Sequence, residues 1–255
     1  MINISLNLIT KNESQNLEKN FTWLNKCPAI NEVICIDDNS TDNTIQVFKT
    51  LGKNNPNTSF SIHQNPLNKD FSRQRQLALQ KSKNDWILWL DADEVPRQQL
   101  IDFLNNLKPS HHNYSFKRKD IFLGKELKYG ETNNQNFIRL FNKNYGKYNH
   151  PVHEIWKTTE EIKDTNLEII HHSHNNMTSF LRKINFYTDI RAQELYNQHK
   201  KSDLFQIIFY PLAKFVQNYF LRLGFLDGVP GIILALSMSL HSFLVRAKLW
   251  KLWQT

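Results

Sequence analysis

Cysteine is scarce in this 255-residue chain: Cys27 and Cys35 are the only two, and no CxxC spacing links them. That excludes a disulfide framework and paired-cysteine zinc sites, and it fits a reducing, cytoplasmic compartment. HExxH, GxGxxG and the P-loop are missing as well, which removes zincins, dinucleotide-binding folds and ordinary ATP folds. No helix-turn-helix, zinc finger or RNA-binding signature occurs, so no nucleic-acid partner is expected. The opening Met1–Ile9 has no basic leader of the kind a signal peptide needs. Residues 231–245 are strongly apolar, but Ser237, Ser239, His241 and Ser242 dilute them. The stretch is also short of the roughly 20 residues a membrane span requires. Internal repeats and low-complexity linkers are absent.

What remains is a core-forming α/β text. Apolar residues make up 40% of the chain, enough for a full core in one domain or one domain with an appendage. Ile2, Ile4, Leu6 and Leu8 alternate with Asn3, Ser5 and Asn7, a period-two strand pattern. Leu17, Phe21 and Leu24 then follow helical spacing. Val33–Ile36 and Trp86–Leu90 are short apolar runs that predict buried strands, ending in Asp37-Asp38-Asn39-Ser40-Thr41-Asp42 and Asp91-Ala92-Asp93-Glu94. Helices are predicted after Asp42 and from about Asp70 to Lys81, and Pro96 is expected to open another. Further strands are expected at 59–63, 114–117, 137–141 and 168–170. Strand–helix alternation at this spacing predicts a mostly parallel sheet flanked by helices.

Open parallel sheets hold ligands beyond the carboxyl ends of their strands, which brings the Asp37 and Asp91 loops to one crevice. Asp91 and Asp93 closing an apolar strand call for positive charge between them. A Mg²⁺ or Mn²⁺ ion with one or two carboxylates and phosphate oxygens supplies it; helix capping is the plainer alternative. Asp37 is placed to accept from a nucleobase or ribose, and Thr10 and Glu13 stand after the first strand at the same edge. Arg73 and Arg75 at the start of the third helix favour phosphate. Downstream, His153-Glu154 offers a general base for an acceptor hydroxyl, and His171, His172 and His174 end a strand with no zinc spacing.

Three motifs, Ile9-Thr10-Lys11-Asn12-Glu13, Ile36–Asp42 and Trp86–Glu94, together resemble family 2 glycosyltransferases. Phe122-Leu123-Gly124-Lys125, Ile138-Arg139-Leu140-Phe141, Val152-His153-Glu154 and Gly224-Phe225-Leu226-Asp227-Gly228 resemble its lipopolysaccharide-core branch. The resemblance implies a GT-A fold and an inverting, metal-dependent transfer of a hexose, glucose from UDP-glucose, to an inner-core heptose. It implies donor binding by Thr10, Glu13, Asp37, Arg75 and Asp91, a divalent cation at Asp93 and His171, catalysis by Glu154, and an acceptor or supporting role for Arg139 and His153. Where the family often has a Gly-Gly-Trp-Tyr-Pro-like stretch, this chain has Tyr129–Asn134, which leaves the acceptor open. A polyprenyl-phosphate or peptide acceptor, a nucleotidyltransferase and a non-catalytic saccharide-binding protein are the alternatives. The nucleotidyltransferase lacks its glycine-rich basic loop here.

Residues 1–176 are expected to form the catalytic domain and 177–255 a helical region that meets a membrane or a second subunit. From Thr178 onward ten basic residues face four acidic ones, +6 of the chain's +8, a balance that favours phosphate-bearing or membrane partners. Arg222, Arg246, Lys248, Lys251, Trp250 and Trp253 flank the 231–245 stretch. The composition predicts a helical hairpin lying on the cytoplasmic face of the inner membrane, with a core helix or homodimer contact as the rival.

Overall fold

The computed structural model describes residues 2–68, 70–132, 135–149, 155–174 and 176–254. In chain order the regular elements begin with β1 (Ile4–Thr10), α1 (Ser14–Asn20), β2 (Ile30–Asp37), α2 (Thr44–Asn54), β3 (Ser59–Gln64) and α3 (Phe71–Lys81). They continue with β4 (Trp86–Trp89), β5 (Glu94–Pro96), α4 (Gln98–Asn105), β6 (Asn113–Phe122), β7 (Lys125–Glu126), β8 (Gln135–Asn142) and β9 (Lys147–Asn149). Last come β10 (Ile155–Lys157), β11 (Ile162–His174), α5 (Met177–Asn197), α6 (Leu204–Val216) and α7 (Val229–Leu252). Two compact units emerge: residues 1–118 with 135–171, and residues 119–134 with 172–255.

The first unit is built on the sheet, ordered β3-β2-β1-β4-β8-β6-β11-β5. β3, β2, β1 and β4 run parallel; β8 pairs antiparallel with β4, and β6 antiparallel with β8. The period of two decides which face each side chain meets. On β1, Ile4, Leu6 and Leu8 join Leu17, Phe48, Leu100 and Leu104 from α1, α2 and α4. Ile34, Ile36, Ile87 and Trp89 meet Ala78 and Leu79 of α3 on the other side.

The polar alternates of β1 are not solvent-facing. Ser5 and Asn7 are fully buried; Ser5 donates to Glu32 at 2.5 Å and the Asn7 amide to Ser82 at 2.9 Å. Both faces of a central strand are covered, so the hydroxyl and amide are tolerated because each has an internal partner.

Local signals place the helices. Asp70 caps α3 through the Arg73 N–H at 3.0 Å, an ordinary carboxylate N-cap. Asp42 accepts from the Thr44 N–H and hydroxyl before α2. Pro96 does not open a helix: it closes β5, paired with Ile169 of β11, and α4 starts two residues later. A proline suits an edge strand because it has no N–H to donate.

The second unit is helical. Phe180 and Ile184 of α5 pack with Leu234 of α7, Phe122 and Leu127, and Ala192 and Leu195 pack with Val245 and Leu249. α6 meets α7 through Ser239, whose hydroxyl donates to the Pro211 carbonyl at 2.8 Å, and through Arg246 over the Tyr210 ring. Gly231 is required there, since a Cβ would sit 2.0 Å from the Gly224 carbonyl oxygen. Asp227 is buried and accepts from the Lys128 and Tyr129 N–H groups.

Candidate active site

Hydrogen-bond chemistry at the carboxyl edge of the parallel strands ties the first two loops together. Thr10 and Asp37 end β1 and β2 side by side, in register, and both are buried. The Thr10 hydroxyl donates to Asp37 Oδ1 at 3.0 Å, while Ser40 donates its N–H to Oδ2 at 2.8 Å and its hydroxyl to Oδ1 at 2.5 Å. A carboxylate has about four lone-pair positions, so Asp37 is held in one posture with capacity for a further donor. Glu13 lies on the neighbouring loop, its N–H bonded to Thr44 and its carboxylate accepting from Asn16.

β4 lies on the other side of β1, also parallel, so its Asp91 loop opens on the same sheet edge as Asp37. A turn follows, closed by the Glu94 N–H on the Asp91 carbonyl at 3.0 Å. The same Glu94 returns its carboxylate to the Asp91 N–H at 3.1 Å. Arg139, on β8, bridges the two acids: one guanidinium nitrogen stands 2.5 Å from Glu94 and 3.0 Å from Asp91. Glu94 is wholly buried, whereas the Asp91 side chain is 39% exposed. Arg75 approaches Asp91 from α3 at 3.9 Å, its guanidinium stacked over Trp89 at 4.3 Å and near Tyr148 at 5.4 Å.

The electrostatics follow from this sharing. Burial by itself would raise the Asp91 carboxyl pKa; Arg139, then Arg75 and His171, hold it well below the usual carboxylate range instead. Glu94 moves the other way, raised by burial and by the Asp91 charge against the pull of Arg139. Burial opposes the charge on Arg139, and the two acids more than restore it. Arg139 between the two carboxylates, with Arg75 and His171 beside them, keeps the exposed one ionised.

Asp93 faces His171, with 3.4 Å between Oδ2 and Nε2. The pairing of β5 with β11 sets this contact, because His171 lies opposite Glu94 in the ladder. Among the described residues no three His, Cys, Asp or Glu side chains converge as a metal cage. The Asp93 carboxylate matches the oxygen-donor chemistry of Mg²⁺ or Mn²⁺, which fill their remaining positions with water and substrate phosphate, while the His171 imidazole is a softer donor that suits a transition metal better than Mg²⁺.

Of the residues singled out in the sequence, the structure joins Thr10 with Asp37, and Arg75, Asp91 and Arg139 in one ion-pair group, with Asp93 against His171. His153 and Glu154 lie outside the described residues. Glu94 carries a role the sequence reading did not give it; an acid three residues after Asp91, at the end of an apolar run, was its only signal.

The model of glycosyl transferase family 2 matches residues 5–185. The chain belongs to that family. An uncharacterized glycosyltransferase of Rickettsia typhi is 26% identical over 99% of this chain and 88% of its own length. The lipopolysaccharide core biosynthesis glycosyltransferase LpsC of Rhizobium meliloti is 23% identical over 97% and 92%. In fold, this family 2 glycosyltransferase is similar to the mannosyltransferase PcManGT of Pyrobaculum calidifontis, solved with GDP-Man and Mn²⁺. The TM-score is 0.56 and the identity 12%, over 99% of this chain and 87% of that one. The architecture is the GT-A type, a mixed sheet flanked by helices with an apolar C-terminal helix.

Proposed function

We propose that this family 2 enzyme is an inverting hexosyltransferase that moves glucose from UDP-glucose to a heptose of a lipopolysaccharide or lipooligosaccharide inner core. The observation that carries the reading is the Asp91–Arg139–Glu94 bridge beside Asp93 and His171. It keeps an ionised carboxylate at a sheet edge where a donor binds. The LpsC relative and the resemblance of the Arg-Leu-Phe region support the acceptor class.

Asp93 and His171 are the residues that would hold the divalent cation, which when bound neutralises the nucleoside diphosphate as it leaves. Asp37, positioned by Thr10 and Ser40, accepts from the nucleobase or ribose, with Glu13 on the adjoining loop. Arg75, stacked on Trp89, offers its guanidinium to the diphosphate. Glu154 takes the proton of the acceptor hydroxyl as that oxygen attacks the anomeric carbon and the bond to the β-phosphate oxygen breaks. A single in-line displacement inverts the anomeric centre. The enzyme works as a peripheral protein on the cytoplasmic face of the inner membrane, where a lipid-linked saccharide is presented.

The test is a donor screen. Purified protein is incubated with UDP-glucose and a panel of other nucleotide sugars, with Mg²⁺, Mn²⁺ or chelator, and released nucleotide is measured. Release of UDP that stops with chelator is the expected result. Nucleotide release from a different donor, or indifference to chelator, overturns the donor or the metal part respectively.

A further inference from the structure

α6 is uncharged from Leu204 to Ala213, and most of its apolar side chains are left uncovered. Leu204, Phe205, Ile208, Phe209 and Leu212 are all exposed, and so is Leu221 in the π-helical turn that follows, at 75%. Monomeric soluble proteins seldom expose so continuous an apolar surface. α7 is the longer apolar helix and meets the length and hydropathy of a membrane span. However, α5 packs along both its halves, and α5 carries Arg182, Lys183, Asp189, Arg191 and Glu194. A span in this packing would drag those charges into hydrocarbon. α7 is therefore held by α5 on one side, though Leu236, Leu240 and Phe243 of its other side are exposed too, and α6 is the more continuously uncovered element.

Charge selects the occupant. Between residues 198 and 254 seven basic residues face two acidic ones, Asp203 and Asp227. Asp227 is buried against the 128–129 backbone, and Asp203 caps α6 through the Gln206 N–H. Lys214 is paired with Glu131 and Lys248 with Asp189, so the exposed excess is Lys200, Lys201, Arg222 and Lys251; a second copy would bring like charges together, which disfavours association. An anionic lipid surface complements it.

Where the face ends, Arg222 lines a depression of about 400 Å³ with Tyr129, Gly130, Glu131, Leu221 and Leu223. Its walls are pinned: the Gly130 N–H donates to the Arg222 carbonyl at 2.9 Å, and Glu131 accepts from Lys214 and Asn218. Arg222 itself is exposed, its Nη1 3.5 Å from the Asn218 side-chain oxygen. We propose that α6 and the turn after it lie in the surface layer of an anionic phospholipid bilayer, and that the Arg222 depression receives a lipid phosphate. This deepens the lipid-linked-acceptor reading above by naming the surface that meets the lipid.

The experiment is co-sedimentation of the full chain with vesicles of phosphatidylcholine, with and without phosphatidylglycerol. Wild type is expected to pellet with the mixed vesicles and much less with phosphatidylcholine alone. Leu221→Asp and Phe209→Asp are each expected to weaken binding at least about tenfold, the loss of one buried apolar side chain. Arg222→Gln is expected to lose about fivefold on mixed vesicles and nothing on neutral ones. Circular dichroism checks that each variant is folded.

Binding to neither vesicle overturns the proposal, as does a folded Leu221→Asp protein that pellets like wild type. So does a wild-type dimer, seen by size exclusion, that Leu221→Asp dissolves. An unchanged lipid preference in Arg222→Gln overturns the phosphate site. The donor screen contains no vesicles, so a failed enzyme reading and a failed lipid reading are separately visible.

Discussion

The two units of this chain break the ordinary distribution of residues in opposite ways. The first buries charge: Glu94 and Arg139 lie under the sheet edge, and Asp91 is only partly open. The second exposes hydrocarbon along α6. Buried charges persist only when paired, and exposed apolar patches persist where something covers them in use. In the first unit the cost is met inside the fold. In the second it is left for a surface outside it.

Substitutions sharpen that contrast. The largest effect is expected at the reaction: Asp93→Asn should lower transfer by about a thousandfold while leaving the urea midpoint of unfolding in place. Turnover close to wild type would remove Asp93 from the site. Next is Arg139→Gln, which strands two carboxylates beneath the edge and is expected to cost about 3–5 kcal/mol in urea unfolding. A loss below about 1 kcal/mol would mean that the acids are held by something else.

The acid limb comes third. Asp91 has a folded pKa below its unfolded value of about 3.9, so its contribution is full above that pH and is lost as pH falls through the folded value. Glu94, raised in the fold, contributes most below its unfolded value of about 4.3 and loses that as pH rises. Asp91→Asn should therefore flatten the decline in stability below about pH 4, read by thermal melts across pH; an unchanged slope would contradict the pairing. The smallest effect belongs to the second unit, where Leu221→Asp is expected to change stability by about 0.5 kcal/mol or less. A larger loss would show that Leu221 packs in solution and that the contrast between the units fails there.

Much of the frame was legible from pattern. The apolar run Val33–Ile36 falls in β2, Trp86–Leu90 covers β4 and one residue beyond it, and Asp70 caps α3 where the spacing placed a helix. β1 was recognised through an alternation whose physical cause is different, since its polar residues bond inward to Glu32 and Ser82. Pro96 misled because proline serves a helix start and an edge strand equally well.

At the site, the acids themselves stood out by their place after apolar runs, but the Arg139 bridge did not. Asp91 and Arg139 are 48 residues apart, and sheet pairing alone brings them together. In the C-terminal third, hydropathy drew attention to 231–245, where Leu234, Ala235 and Val245 are buried while Leu236, Leu240 and Phe243 are exposed. Which side of each apolar helix faces out depends on what packs against it, and composition does not record that.

Gly231 pressed on the Gly224 carbonyl has a consequence for how this surface can change. The turn between α6 and α7 is fastened in part where main chain meets main chain, a contact that no apolar side chain supplies. The apolar side chains of α6 can therefore vary among apolar types without touching that contact, whereas Gly231 cannot take a side chain.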